Sequence, residues 1–340
     1  MNPSKVDDSD YINYLIAAPR TFTCTEAARS QPQATGDPSD TPAHDAFNRL
    51  LERSFDLESL WREAKPFVAM HGGILVVDDS TLDKPYAKRM ELVTQHWSGK
   101  HNEVVWGINL ITMLWTNGDK LIPCDFRVYD KPMGLLAPFG GKDKNEHMRD
   151  MLVTAKERGL HPRYVVFDSW YTCLDNLKHV RELGWHWFAR MKSDRLVNPD
   201  KTTGNVPLGT IEIPSEGRVV HLKAYGFVKV FKTVSSKGDV EYYATDDVEM
   251  KEKERERLSD QGWGIEVYHR GIKQCCGVER SQVRDAIKQL AHIMLSLRAF
   301  LRLELERIRH RISWYESKIS VIRGAVRSYL ANPTLDLPSA

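Results

Sequence analysis

Three acidic residues lie where their side chains could together hold a divalent cation. Asp78 follows the apolar run ILVV, Asp168 follows the apolar run YVVF, and Glu266 lies in WGIEVYHRGIKQ, which is predicted to be a helix. Side chains at the carboxyl ends of neighbouring strands project into one crevice, and carboxylate oxygens are the ligands that Mg2+ prefers. We therefore expect these acids to hold two Mg2+ ions, with Mn2+ as a substitute, and to catalyse an in-line phosphoryl transfer.

Each acid also has a simpler explanation in local structure. Asp168 could cap the turn that follows it, Glu266 could pair with Arg270 four residues later, and Asp78 could serve a loop. Asp79 is a second candidate for the role of Asp78, because both lie in VVDDST. The metal hypothesis therefore rests on the three acids together and not on any one of them.

Basic residues share the predicted helix with Glu266. Glu266, Arg270 and Lys273 are spaced four and three residues apart, which places them on one helical face, with His269 beside them. Arginine offers a planar fork and lysine a point charge, and both suit the phosphates that flank a scissile bond. We expect Arg270, Lys273 and His269 to contact the phosphates of a nucleic acid such as DNA, an expectation that the resemblance described below supports. The alternative is a solvated face of ordinary salt bridges.

Composition limits the class of protein. The 340 residues are 41% hydrophobic and 28% charged, which is typical of a globular chain. Apolar stretches are too short to span a bilayer, the N-terminus lacks a signal sequence, and the five cysteines show no CxxC spacing. We expect reduced thiols, a cytoplasmic location and no membrane partner. Residues 251–330 hold 17 Lys or Arg against 10 Asp or Glu, so a polyanion should favour this region.

The pattern of apolar residues predicts an α/β fold that positions these side chains. Helices are predicted over residues 10–19 and 44–67, and then three strands over the runs ILVVDDS, VVWGINLITMLW and KLIPCDFRVYD. A helix at KNEHMRDMLVTAKERG, a strand at RYVVFDSW, a helix at CLDNLKHVRELG and a strand at WHWFARMKS follow. The buried strand ending at Asp168 is expected to neighbour the one ending near Asp78.

The remaining residues predict an insertion and a helical end. Residues 195–248 carry Gly and Pro turns between β-rich runs, which predicts an antiparallel β segment projecting from the core. A long helix then places apolar residues from Ile287 to Ile308 at steps of three and four. The predicted divisions are 1–70, a helical module that could bind DNA ends; 71–194, the first part of the core; 195–250, the insertion; and 251–330, which completes the core.

The segments VVDDST, VVFDSWY and WGIEVYHRGIK resemble those of the DDE transposases of bacterial insertion sequences, in the group with a β insertion before the Glu. The resemblance implies a ribonuclease H-like core with a mixed sheet flanked by helices. In that family Ser or Thr follows the first Asp by two residues, which favours Asp78 with Ser80 over Asp79, and Asp168 with Tyr171 matches its D-x-x-Y segment.

The third motif of that family, Y-x2-R-x3-E-x6-K, is only partly present. Glu266 and Lys273 match, but Ser259 and Gly262 occupy the Tyr and Arg positions. The phosphate contacts of those two residues are therefore in question, and Arg270 could substitute for them. The aromatic residues Trp97, Trp106, Trp115, Trp185 and Trp187 lie in strand-like runs and are predicted to be core; packing is also favoured for Trp263, and Trp170 is left open.

The resemblance and the three acids together predict a transposase. It would bind the inverted-repeat ends of its element, cleave a phosphodiester bond, and join the 3′ hydroxyl to target DNA, as a homodimer in the DNA complex. A nuclease with the same core but no strand transfer is the nearest alternative. A transposase-derived DNA-binding protein that has lost catalysis is the second.

Overall fold

The computed structural model describes residues 4–32, 41–87, 89–99, 101–130, 141–200, 202–235 and 238–334. In chain order the elements are α1 (Asp8–Ala17), α2 (Cys24–Arg29), α3 (His44–Arg53), α4 (Leu57–Ala64), β1 (Ile74–Asp83), β2 (Thr94–Ser98), β3 (Glu103–Thr116), β4 (Leu121–Tyr129), α5 (Lys144–Glu157), β5 (Tyr164–Phe167), α6 (Leu174–Glu182), β6 (His186–Met191), β7 (Leu196–Val197), β8 (Val206–Pro207), β9 (Arg218–Leu222), β10 (Gly226–Val234), β11 (Val240–Thr245), α7 (Glu252–Cys275), α8 (Ala286–His310) and α9 (Trp314–Ala331). Two compact units combine distant parts of the sequence.

One unit consists of Ala64–Thr81 and Ile108–Tyr268 and is built on a mixed sheet. Its strand order is β4, β3, β1, β5, β6, β11, β10 and β9, with β1, β5 and β6 parallel to one another. Helix α5 packs on β4 and helix α6 on β6. The predicted helical face of α5 is confirmed, because Met148, Met151, Leu152 and Ala155 are buried.

The predicted placement of the insertion is wrong. Its strands are antiparallel, as expected, but β11 pairs with β6 and β10 and β9 follow, so the insertion extends the central sheet instead of projecting from it. Without the insertion, β6 would be an edge strand with unpaired backbone N–H and C=O groups. Pairing with Tyr242–Thr245 satisfies these groups. Only β7 and β8 form a separate small sheet within the described residues.

The other unit consists of Met1–Glu63, Leu82–Gly107 and His269–Ala340. Helices α1, α3 and α9 pack on α8, and α2 packs on α3. Helix α8 confirms the predicted long helix: its N-cap is Asp285, and Leu290, Met294, Leu297 and Leu301 are buried along it. In the described part of the chain, none of the helices has the length and apolar character that crossing a membrane requires.

A hairpin in this unit was not predicted. Strand β2 pairs antiparallel with the first residues of β3, with Trp97 opposite Val104. The side chains of β2 that face the interior are polar: His96 and Ser98 are buried, whereas Trp97 between them is 65% exposed. The core assignment of Trp97 is therefore wrong, whereas Trp115, Trp185 and Trp187 are buried as predicted.

A buried histidine in α8 makes this unit sensitive to acid. Burial, reinforced by Lys84, lowers the pKa of His292 to about 3, and the ring lies 3.0 Å from the Tyr11 hydroxyl through Nδ1. In the unfolded state the histidine binds a proton near pH 6.5. The contribution of neutral His292 to the free energy of unfolding is therefore fully present above pH 6.5 and is lost as the pH falls toward 3. The expected slope is about 1.4 kcal/mol per pH unit over roughly pH 6 to 3.

Urea unfolding at pH 7 and pH 5 measures this slope. We expect His292→Gln to unfold with a smaller pH dependence than the unmodified chain, because glutamine takes up no proton. His310→Gln, at the exposed end of the same helix, is the matched control and should keep the full dependence. An identical pH dependence in His292→Gln and the unmodified chain would contradict the assignment.

Candidate carboxylate site

Parallel pairing brings two of the predicted acids together. Strand β1 pairs in parallel with β5, and Val77 lies opposite Phe167, so Asp78 and Asp168 follow at equivalent positions on adjacent strands. The predicted neighbouring of these strands is confirmed, but the predicted strand end near Asp78 is wrong, because β1 continues to Asp83. Asp168 also caps the short 3-10 turn Ser169–Tyr171, since its Oδ1 accepts the Trp170 N–H at 2.8 Å. The local explanation for Asp168 is therefore also correct, and it does not exclude the other.

The third predicted acid faces the same cavity. Glu266 lies on α7 and lines a cavity of about 160 Å3 together with Asp78 and Asp168. The cavity is also lined by Arg190 of β6, by Glu241 and Tyr243 of β11, and by Ser259, Gly262 and Trp263 of α7. Within the described ranges, no three His, Cys, Asp or Glu side chains are grouped so that they could hold a metal ion as they stand. The cavity thus brings the three acids to one place without forming a finished coordination sphere.

Burial and mutual repulsion characterise this cavity. The pKa of Asp78 is raised well above its usual value, first by burial and then by the negative charges of Asp79, Asp168 and Glu266. The pKa of Asp168 is raised mainly by burial, against which backbone hydrogen bonds and Arg190 act in the opposite direction. Carboxylates crowded in this way favour either a proton or a bound cation.

Asp79 has a different environment, although it is adjacent to Asp78. Successive strand residues point to opposite faces, and Asp79 accepts hydrogen bonds from Asn109 Nδ2 at 2.7 Å, Lys144 Nζ at 2.8 Å and the Tyr171 hydroxyl at 2.9 Å. Burial opposes its ionisation, but Lys144, Asn109 and Tyr171 outweigh this effect, and the pKa of Asp79 is lowered. Asp79 is therefore an ionised carboxylate whose charge is compensated by Lys144. Its hydrogen bonds join β1 to β3, α5 and the turn after β5.

Sequence reasoning missed Arg190. This residue lies on β6, half of its side chain is exposed, and it forms an ion pair with Glu241 of β11 at the cavity wall. It is the cation that acts on the pKa of Asp168. No sequence signal distinguishes it from other strand arginines, because its position depends on the long-range pairing of β6 with β11.

Gly262, which occupies the Arg position of the family's third motif, lies close to strand β5. A Cβ at this position would lie 3.0 Å from Val166 Cγ1, which is tighter than ordinary contact, so α7 approaches strand β5 closely there. Gly264 is similar, since a Cβ would lie 2.8 Å from Leu121 Cδ2. A side chain at position 262 would require the Val166 side chain to shift by a few tenths of an ångström. The arginine that lines the cavity is Arg190 of β6.

Two tryptophans flank the acids at the surface. Trp263 lines the cavity and is 61% exposed, so the predicted packing role is wrong for this residue. Trp170, which the sequence left open, is 59% exposed, and the Lys144 ammonium lies 5.5 Å from its ring centroid. Exposed aromatic rings beside a charged site are surfaces on which nucleobases can stack.

The predicted basic residues lie near the C-terminal end of α7. Arg270 is exposed, Lys273 is half-buried, and only 4% of the His269 surface is exposed. A side chain buried to this extent presents almost no surface to a nucleic acid, which argues against the expected DNA contact of His269. Arg270 and Lys273 remain candidates.

One protein family matches the part of the chain that contains both aspartates. Residues 54–210 match the model of the DDE superfamily endonucleases. The match ends before Glu266, so it supports a nuclease or transposase without reaching the third acid. No curated protein matches the chain.

Solved structures agree with the fold. A cryo-EM structure of the piggyBac transposase synaptic complex with hairpin DNA is similar over 99% of this chain and 74% of that chain, with 12% identity and a TM-score of 0.52. At this identity the likeness concerns the fold alone, and it confirms the predicted ribonuclease H-like architecture with a helical N-terminal region.

Two further structures match more weakly. The Drosophila P element transposase strand transfer complex has 12% identity, a TM-score of 0.24, and coverage of 59% of this chain and 40% of that chain. The C-terminal lobe of a budding yeast Argonaute has 10% identity, a TM-score of 0.23, and coverage of 76% and 54%. Likeness at these TM-scores is too weak to show a shared fold.

Proposed function

We propose that this chain is a DNA transposase that cleaves at the ends of its element and joins the freed 3′ hydroxyl to target DNA. The observation that carries the proposal is the cavity lined by Asp78, Asp168 and Glu266, within a fold like that of piggyBac transposase. The family match over residues 54–210 supports phosphodiester cleavage. Binding of inverted repeats and an origin in a bacterial insertion sequence are part of the proposal and follow from the sequence resemblance.

The residues of the cavity fit a hard divalent cation. Asp78 and Asp168 are adjacent carboxylates whose ionisation is opposed by burial and by neighbouring negative charge, and a cation would relieve that repulsion. Magnesium is commonly held by one or two carboxylates, waters and substrate phosphates. We therefore assign Asp78 and Asp168 as ligands, with Glu266 joining them when DNA is bound. Two Mg2+ ions, or Mn2+ in their place, would activate the attacking water or hydroxyl and stabilise the leaving oxygen.

The other side chains would orient the substrate. Arg190 presents its guanidinium at the cavity wall, where it can donate hydrogen bonds to a phosphate adjoining the scissile bond. Trp263 forms an exposed aromatic surface at the same cavity, suited to a base near that bond. The ion pair of Asp79 with Lys144 joins β1 to α5.

A plasmid carrying the DNA that flanks the reading frame tests this proposal. With Mg2+ or Mn2+ present, we expect nicks at the element ends followed by joined products, and EDTA should stop both reactions. Nicks without joined products would favour the nuclease alternative. Binding without any cleavage would favour a DNA-binding protein that has lost catalysis, an alternative that the missing Tyr and Arg of the third motif suggest.

Arg270 and Lys273 provide a separate test of DNA binding. We propose that both contact phosphates, so Arg270→Gln or Lys273→Gln should weaken binding to every sequence and lower the salt slope by about 1 for each lost contact. Fluorescence anisotropy at several salt concentrations measures this slope, with discrimination between end and random DNA expected to stay constant. Arg309→Gln, an exposed cation on α8, is the control. If both variants leave the salt slope unchanged, Arg270 and Lys273 do not contact DNA and belong to an ordinary solvated helix face.

A further inference from the structure

The last helix carries an apolar seam on its exposed surface. Along α9 the seam consists of Tyr315, Ile319, Ile322, Val326 and Tyr329, of which Ile322 is half-buried and the others are exposed. The steps between them are four, three, four and three residues. This is the spacing at which apolar residues of one helix face a second helix in a coiled coil.

Only the beginning of α9 is held by the rest of its unit. Trp314 and Ser317 are buried, and Lys318 Nζ donates hydrogen bonds to the carbonyl oxygens of Ile16 and Ala18, both at 2.8 Å. From Arg323 to Thr334, by contrast, every residue is exposed. Isolated helices of fewer than about 12 to 15 residues are marginal in water, and Gly324 lowers the helix propensity further. The second half of α9 should therefore gain order from a partner.

The seam also borders a groove. Pro19, Ser313, Tyr315, Ile319 and Ile322 line a cavity of about 400 Å3 beside the helix, together with Glu316 and Lys318. Tyr315 is fixed at its edge, because its hydroxyl donates to Gln274 Oε1 at 2.6 Å. Side chains from a helix laid along the seam could fill this groove.

The charges beside the seam identify the partner. Glu316 and Arg323 lie along one edge of the seam and form an ion pair, Arg323 Nη1 to Glu316 Oε1, at 2.9 Å. If a second α9 runs antiparallel with Ile319 opposite Ile322, Glu316 of each copy faces Arg323 of the other. Parallel pairing instead brings Lys318 of one copy toward Arg323 of the other, which are like charges. The seam is thus complementary to itself in one orientation.

We propose that α9 is the contact surface between two copies of this chain, which pair antiparallel through the seam. One helix pair is small beside the 1,200–2,000 Å2 or so of a standard interface, so the dimer is reversible. The inference does not depend on the proposed DNA chemistry, because the association needs no DNA and is measured without it.

Sedimentation velocity of the full chain, at protein concentrations from roughly 1 to 100 µM, tests the seam. Val326 and Val321 form a matched pair on this helix: they are 49% and 46% exposed, but only Val326 belongs to the seam. We expect the unmodified chain and Val321→Glu to dimerise as concentration rises, and Val326→Glu to remain monomeric. If the unmodified chain stays monomeric, the proposal is wrong and the seam would have to bind a different protein. If Val326→Glu still dimerises, the proposal is wrong as well.

Charge exchange tests the orientation. Glu316→Arg and Arg323→Glu should each dimerise at least about tenfold more weakly than the unmodified chain, because each places like charges opposite one another. An equimolar mixture of the two variants should recover dimerisation, since in the heterodimer the two substituted side chains face each other with opposite charges and the original pair remains at the other end. A mixture that associates no better than either variant alone contradicts the antiparallel arrangement. Far-UV circular dichroism confirms that the variants are folded.

Discussion

Asp78→Ala, Asp168→Ala and Glu266→Ala are each expected to abolish DNA cleavage while leaving DNA binding largely intact. The three side chains line one cavity, and carboxylates that hold a metal serve the chemical step more than docking. Loss of several kcal/mol of transition-state stabilisation corresponds to a rate reduction on the order of 10^3 or more. Nicking of an end-bearing plasmid and gel-shift binding to the same DNA measure the two properties separately.

The adjacent aspartates supply the sharpest control for this result. Asp78→Asn and Asp79→Asn make the same chemical change one residue apart, but Asp78 lines the cavity while Asp79 is bound to Lys144, Asn109 and Tyr171. We expect cleavage to be lost in Asp78→Asn and retained in Asp79→Asn. The reverse outcome would mean that the metal-binding aspartate is Asp79.

Lys144→Met should lower the stability of the sheet unit by about 3 kcal/mol, because it leaves the carboxylate of Asp79 largely buried without its cation. The substitution keeps the length of the side chain and the capping box that Asp143 and Glu146 form at the start of α5. Chemical unfolding followed by near-UV circular dichroism measures the change.

Two further variants decide the cause of that loss. Asp79→Asn combined with Lys144→Met removes both charges and should recover much of the stability. Lys142→Met breaks an exposed ion pair with Asp150 and should cost at most about 1 kcal/mol. Equal losses in Lys142→Met and Lys144→Met would show that the ion pair of Asp79 contributes nothing beyond a surface contact.

Elements with strong local patterns were predictable from the sequence. The apolar faces of α5 and α8 follow helical spacing, and the short run YVVF has the composition of a strand buried on both faces. Because Val77 of β1 pairs in parallel with Phe167 of β5, Asp78 and Asp168 follow at equivalent positions, although β1 continues past Asp78 to Asp83. The apolar runs ILVV and YVVF and the segments VVDDST and VVFDSWY allowed Asp78 and Asp168 to be assigned before the fold was known.

The sequence did not predict which strands pair over long range, or which face of a strand or helix is covered by the rest of the protein. Nothing in Val240–Thr245 specifies that β11 adds to β6, and the cavity position of Arg190 depends on that pairing. Trp97 and Trp263 were misassigned because aromatic character does not reveal which face of an element is covered. The family resemblance at Ser80 favoured Asp78 over Asp79, but the opposite environments of the two side chains are visible only in the fold.

The location of bound metal tests the central claim most directly. In crystals of the full chain with a duplex carrying a 3′ hydroxyl end, soaked in Mn2+, anomalous scattering reveals each bound ion. We expect a peak about 2.0–2.6 Å from carboxylate oxygens of Asp78 and Asp168, with Glu266 turned toward the same site. A peak at Asp79, or none between Asp78 and Asp168, would contradict the account.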